Sequence, residues 1–309
     1  MLSRRILRVK AFKVMYSCVE DPALPLKEAV SRLDDSLEAV RDLYVYMFSI
    51  ILPLTSEARR RIEAARGKFN PTEADLHPNL RFAENRTAAL LSGDPDFQRF
   101  LQKRKLDWSQ DDVLLRNLLD SIQAKPYYKA YMEAPETSLQ AEARLFKRMF
   151  EEEFEDNEQL WKILEDRDIR WTDDLPYALG VCIRGIEAFA RADGRWTLPA
   201  LFADEVEDAR FVRKLLEVTY ARYDEYYKMI SAAAAGWDSD RLFVTDLVLI
   251  AMGLAEAETF AEIPLRVTIN EYVEISKYYS TPKSRSFVNG LLDALTKRLA
   301  EEGRIQKNN

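Results

Sequence analysis

Apolar residues recur along this chain at the three- and four-residue spacing of helices with a buried face. A first helix is predicted from about Ser3, a side-chain cap, to Val19, before Asp21-Pro22 stops it. Within it Leu7, Ala11, Val14, Met15 and Cys18 form one apolar face and Val9, Phe12 and Tyr16 another, so this helix should lie packed between others. One or two helices follow over 26–66, with Leu43-Tyr44-Val45-Tyr46-Met47-Phe48 buried and 57–66 more polar. Over 67–93 the apolar residues thin out, and Asn70-Pro71, His77-Pro78 and Gly93-Asp94-Pro95 are turn signals. An exposed loop is expected there. Helical patterns resume over 97–105, 110–124 and 139–154, then over 172–192 before a turn at Gly194-Arg195-Trp196. Four further helices are predicted over 204–231, 240–260, 267–279 and 282–301. The predicted fold class is an all-α, multi-helix bundle, without internal repeat or heptad run.

The last two predicted helices meet at a corner. Thr268-Ile269-Asn270-Glu271 has the form of a capping box, which starts a helix at Thr268. Ser280-Thr281-Pro282 supplies a turn in which Thr281 caps the next helix and Pro282 takes its first position. In that helix Val288, Leu291, Leu292, Leu295 and Leu299 form the core stripe. Phe287 falls roughly 90° from the stripe's centre at about 100° per residue, with Lys283 one turn earlier on the same flank. Phe287 is therefore expected to be half exposed beside a cation, an arrangement suited to stacking on an unpaired base, the alternative being that the run Phe287-Val288-Asn289-Gly290 is core packing with a side-chain cap. Arg285 and Asn289 lie beyond the opposite edge.

Composition agrees with long helices: nearly half of the 309 residues are apolar, about a third are charged, and there are only 9 glycines and 12 prolines. Cys18 and Cys182 sit in apolar helical surroundings and read as small core residues, which suits a reducing cytosol and a cytoplasmic location. The longest apolar run, 43–52, is too short to cross a bilayer, so no membrane partner is expected. A formal charge of −7 argues against indiscriminate nucleic-acid binding. Charge is unevenly spread, however: residues 1–16 carry Arg4, Arg5, Arg8, Lys10 and Lys13 without an acid, whereas 151–174 is dominated by Glu and Asp. The basic end is thus placed to meet a polyanion.

Catalytic chemistry finds little support. His77, the sole histidine, lies beside a proline in the expected loop. No Ser-His-Asp or Cys-His unit, Glu-x-x-His repeat or glycine-rich phosphate loop is present, so neither metal nor cofactor is expected. The tryptophans Trp161, Trp171 and Trp196 and the pairs Tyr127-Tyr128 and Tyr226-Tyr227 read as core and junction aromatics.

The C-terminal run Ile263-Pro264-Leu265-Arg266-Val267-Thr268-Ile269-Asn270-Glu271, with Ser286-Phe287-Val288-Asn289-Gly290-Leu291-Leu292 at the right separation, resembles the signature of the NusB family of transcription antitermination factors. Ser3-Arg4-Arg5-Ile6-Leu7-Arg8 is similar to that family's arginine-rich first helix. The resemblance implies a NusB-like core made of a first helix at 1–20 and a domain at 204–309, separated by a helical insertion at 21–203. It also implies a non-enzymatic role. The first helix and the corner would bind boxA-like single-stranded RNA together with ribosomal protein NusE, within the RNA polymerase antitermination complex of rRNA transcription.

Carried over position by position, the resemblance assigns RNA binding to Arg4, Arg5, Arg8, Lys283, Arg285, Phe287 and Asn289. Tyr279 stands where the family often has Phe, and Lys283 where it commonly has an acid, which makes this surface more basic. Tyr223, Tyr226, Tyr227 and Tyr279 are the candidates for the NusE surface. The competing expectation is a helical interaction scaffold that keeps a NusB-like core without RNA binding.

Overall fold

Helix α1 (Arg4–Glu20) starts where the sequence places it. Ser3 has extended backbone angles and its hydroxyl accepts from the Ile6 N–H, satisfying one of the free donors of the first turn. In this computed structural model, which describes residues 1–234 and 243–307, the regular elements are helical and no strand occurs among the described residues. The chain is all-α. Leu7, Ala11, Phe12, Val14, Met15 and Cys18 are buried, so both apolar faces of α1 are covered.

Two compact units divide the chain: Met1–Leu37 with Ala200–Asn309, and Glu38–Pro199. The division falls inside α2 (Leu26–Ser49) rather than at residue 21, where the insertion is expected to begin. Long-range contacts hold the start of α2 in the first unit: Arg213 pairs with Asp34 at 2.9 and 3.0 Å, and the Tyr220 hydroxyl donates to the Leu24 carbonyl at 2.9 Å.

The second unit contains the rest of α2, then α3 (Ile51–Arg66), α4 (Glu73–Leu76), α5 (Arg86–Gly93), α6 (Pro95–Arg104), α7 (Asp112–Ala124), α8 (Pro126–Glu133), α9 (Leu139–Glu152), α10 (Glu158–Arg167) and α11 (Leu175–Arg191). Its core is aromatic: Tyr44, Tyr46 and Phe48 are buried, and Tyr46 stacks on Trp108 with ring centres 3.8 Å apart. Trp171 and Trp196 are buried as expected, and His77 is exposed. The expected loop over 67–93 is only half correct. Phe82, Ala83 and Leu91 enter the core, and 86–93 is the helix α5. Polar pairing takes the place of apolar patterning here. Asn85 caps α5 and donates to Thr55 at 2.9 Å, while buried Glu142 accepts from Arg86 N, Thr87 N and the Thr87 hydroxyl.

The first unit is completed by α12 (Glu205–Ala233), α13 (Val244–Thr259), α14 (Leu265–Tyr279) and α15 (Ser284–Glu301). The predicted start of α13 at residue 240 lies outside the described residues. This helix packs against α1, α12, α14 and α15, which is why every residue from Asp246 to Ala257 is buried. Helix α14 begins three residues before the predicted cap. Pro264 precedes it, and Thr268 lies one turn inside, fully buried with its hydroxyl turned to Glu256. Helix α15 likewise begins at Ser284, two residues later than predicted. The Thr281 hydroxyl bonds the Ser284 hydroxyl at 2.9 Å, and Pro282 lies in the turn.

Close packing at the centre of this unit requires a missing side chain. A Cβ at Gly253 would lie 2.7 Å from Leu292 Cδ2 and 3.3 Å from Tyr272 Cδ2, both on fully buried residues, so the neighbours would have to shift. Gly253→Val is expected to destabilise the protein by about 1–3 kcal/mol through overpacking, measured as a lowered urea midpoint.

Candidate nucleic-acid interface

Helix α1 carries Arg4, Arg5 and Arg8 in its first two turns, and the three meet different fates. Arg8 is 3% exposed, and its guanidinium donates two parallel hydrogen bonds to Glu256 at 2.7 and 2.8 Å. Glu256 is itself fully buried and accepts two more, from the Thr268 hydroxyl at 2.9 Å and the Tyr272 hydroxyl at 3.0 Å. Both carboxylate oxygens are thereby doubly satisfied, which a buried charge requires. Burial pushes the Tyr272 phenol well above its ordinary range, and the adjacent carboxylate adds to the effect. From the C-terminal segment, the Lys307 ammonium reaches to 3.5 Å from the Thr268 hydroxyl, its pKa lowered by burial. Arg8 is thus a structural cation, and its expected role as a phosphate contact is corrected.

Arg5 is half exposed and grips Glu271 through bonds of 2.9 and 2.8 Å. This contact holds the Glu271 carboxyl below its usual range. Arg4 lies 3.3 Å from Asp208 and over the Phe211 ring at 5.0 Å. Beside these three arginines a depression of about 570 Å³ is lined by Ser3, Ile263, Pro264, Val267, Glu262 and Glu271. The acids make this end of α1 less positive than its sequence suggests. Glu256, Glu271 and Asp208 are the acids that pair with these arginines, and sequence reasoning does not pick them out for that. A lone charge within the apolar run Leu247 to Ala257 is a signal for Glu256, because such a charge must find a partner.

At the start of α15, Lys283, Arg285 and Asn289 are exposed, as expected, and neither cation makes an ion pair among the described residues. Phe287 is 3% exposed rather than half exposed. Helix α15 packs against α12 and α14 as well as α13, so the flank that a one-sided stripe leaves open is covered by a further helix. Phe287 therefore belongs to the core and cannot stack on a base in this conformation. The tyrosines divide similarly. Tyr226 is fully buried with its hydroxyl donating to Glu258 at 2.6 Å, which removes it from any docking surface. Tyr227 is 45% exposed. Tyr223 is half-buried, its phenol pushed up to about 12 by burial. Tyr279 is half-buried too, against Phe12 with Lys13 at 5.6 Å from its ring.

The family match falls on these helices. Residues 193–297 match the model of the NusB family. The chain is also similar to the transcription antitermination protein NusB of Salinibacter ruber, at 36% identity over 97 residues, or 31% of this chain and 61% of that protein. NusB of Chloroherpeton thalassium is 30% identical over 111 residues, covering 36% and 53% of the two chains, and NusB of Thermodesulfovibrio yellowstonii 38% over 87, covering 28% and 58%. The match spans between half and two thirds of the length of these relatives. No solved structure matches. The chain thus carries a NusB-family domain, comprising α12 to α14 and most of α15. Neither α1 nor the second unit up to residue 192 lies within it.

Glu256→Gln leaves the buried Arg8 charge without its hydrogen-bonded counter-ion, only Glu271 remaining at 3.8 Å, and is expected to cost about 3 kcal/mol in chemical denaturation. Asp246, 1% exposed with one carboxylate oxygen unpaired among the described residues, has the opposite character. Burial raises its pKa, and Ser280 and Ser284 offset only part of that. A carboxyl that holds its proton more tightly when folded loses stability as pH climbs through the ordinary aspartate range and above. Asp246→Asn is therefore expected to raise the melting temperature at pH 7, with the gain shrinking toward pH 3.

Proposed function

We propose that this chain binds a short boxA-like single-stranded RNA together with ribosomal protein NusE, and acts without catalysis in the RNA polymerase antitermination complex during rRNA transcription. The observation that carries this reading is the convergence of the two ends of the chain within one unit. Arg5 is fastened to α14 through Glu271, and Arg5 and Arg285 both act electrostatically on Glu274 of the same helix. Arg4, Arg5, Lys283 and Arg285 then present cations to phosphates and set register, and Asn289 offers an amide to a base edge. Tyr223, Tyr227 and Tyr279 remain as the aromatic candidates for the NusE surface. The names of the similar proteins, each a transcription antitermination protein, support the same reading.

A second reading, a helical interaction scaffold without RNA binding, draws on a cleft in the second unit. It measures about 880 Å³ and has Leu52, Leu101 and Leu115 among mixed charges.

Lys283 and Arg285 give the cleaner test, because removing Arg5 would also release the charge of Glu271. A fluorescence titration with a boxA-like oligonucleotide, with and without NusE, is expected to show salt-dependent binding that NusE strengthens. Lys283→Ala with Arg285→Ala is expected to weaken it and to reduce the slope of log K against log salt by about 0.7 per lost phosphate contact. Capture of unrelated proteins with no RNA shift favours the scaffold.

A further inference from the structure

With Phe287 sealed in the core, the candidate interface lacks the exposed ring expected of it, and another residue supplies one. Tyr278, on the last turn of α14, is 80% exposed, against 45% for Tyr227 and Phe243 elsewhere in the same unit. Its position follows from helix register. Val267, Glu271, Glu274 and Tyr278 are spaced by four, three and four residues and so share one face of α14. Val267 and Glu271 border the depression at the start of α1, and Glu271 holds Arg5. The face therefore runs from that depression to the α14–α15 corner, about 16 Å along the helix axis. Lys277 pairs with Glu274 at 2.5 Å beside it, and Lys283 and Arg285 stand exposed at the far end.

A ring so exposed gains nothing from the core, since burial is what stabilises an apolar surface. A single exposed aromatic needs no special explanation by itself. This one, however, ends a face that has Arg5 at its far end, Lys277 beside the ring and Lys283 and Arg285 just beyond it, and most of its surface is open to solvent. Single-stranded nucleic acid is held by that combination: cations follow the backbone while aromatic faces receive the bases. An acidic protein would use the cations but would leave the ring without a flat partner. We infer that Tyr278 is the base-stacking platform of this interface, and that the RNA strand follows the outer face of α14 from the arginines of α1 to the cations of α15. The inference rests on the RNA-binding reading above and adds the residue that receives a base.

The test measures the full chain against a fluorescently labelled boxA-like single-stranded RNA and against the same oligonucleotide with abasic positions. Tyr278→Ala is expected to weaken binding of the intact RNA roughly five- to hundredfold, the loss typical of one stacked base. The salt slope should stay unchanged, because no charge is removed. Tyr278→Phe keeps the ring and should bind within about twofold of the wild type, while the abasic oligonucleotide should bind wild type and Tyr278→Ala alike. An unaltered melting temperature is expected for both variants, as the side chain lies outside the core. If Tyr278→Ala binds RNA as the wild type does while the Lys283→Ala, Arg285→Ala variant is weakened, the stacking assignment falls and RNA binding stands. Should Tyr278→Ala lose only the capture of NusE, the ring serves a protein contact and the assignment falls likewise. A wild-type chain that fails to bind the RNA at low salt overturns both.

Discussion

Glu256 is a fully buried carboxylate in the last turn of α13, and four donors from two other helices converge on it. Such a charge is tolerated only while every one of its lone pairs is occupied. Arg8 of α1 supplies the opposite charge, and Thr268 and Tyr272 of α14 complete the shell. The register of α1 against α13 and the position of α14 against both are therefore tied to one carboxylate. A hydrophobic contact tolerates sliding by a fraction of a turn, whereas paired bonds between a guanidinium and a carboxylate do not. The first turns of α1, with the arginines that line the surface depression, are held in place by this interior arrangement.

The charges on the surface follow a related pattern. Each of the first three arginines meets an acid from another helix: Arg4 meets Asp208, Arg5 meets Glu271, and Arg8 meets Glu256. The sequence of α1 by itself suggests a strongly basic arm. In the fold much of that charge is answered, and the cations left without an ion pair among the described residues include Lys283 and Arg285 at the corner before and within α15. A protein of net charge −7 can in this way present a small basic area without attracting every polyanion.

What the sequence reveals divides along the range of the interactions involved. Ser3 capping α1 and the buried run from Leu43 to Phe48 are local matters of spacing and capping, and they read correctly. The errors lie where a distant partner decides. Thr268-Ile269-Asn270-Glu271 looks like a cap because its residues suit one, yet Thr268 and Glu271 are claimed by side chains of other helices, Glu256 of α13 and Arg5 of α1. Phe287 looks half exposed because a single helix shows one stripe, and nothing in that helix tells how many neighbours will cover it. Residues 82–91 are poor in apolar pattern because Asn85 and Glu142 anchor them by polar bonds. Tyr278 carries no sequence signal for a related reason: its neighbour Tyr279 occupies the position that matches the family, and two adjacent tyrosines do not reveal which is exposed.

The segment that aligns with the family begins at residue 193, well after α1. A gene fragment cut to those limits would encode Glu256 with Thr268 and Tyr272 but without its arginine, leaving a buried carboxylate with no opposite charge bonded to it. Several kilocalories per mole lost at one position is comparable to the entire margin by which small domains stay folded. A self-sufficient miniature of this domain must therefore be stitched from both extremities of the polypeptide, because the boundary of recognisable ancestry and the boundary of autonomous folding are drawn in different places.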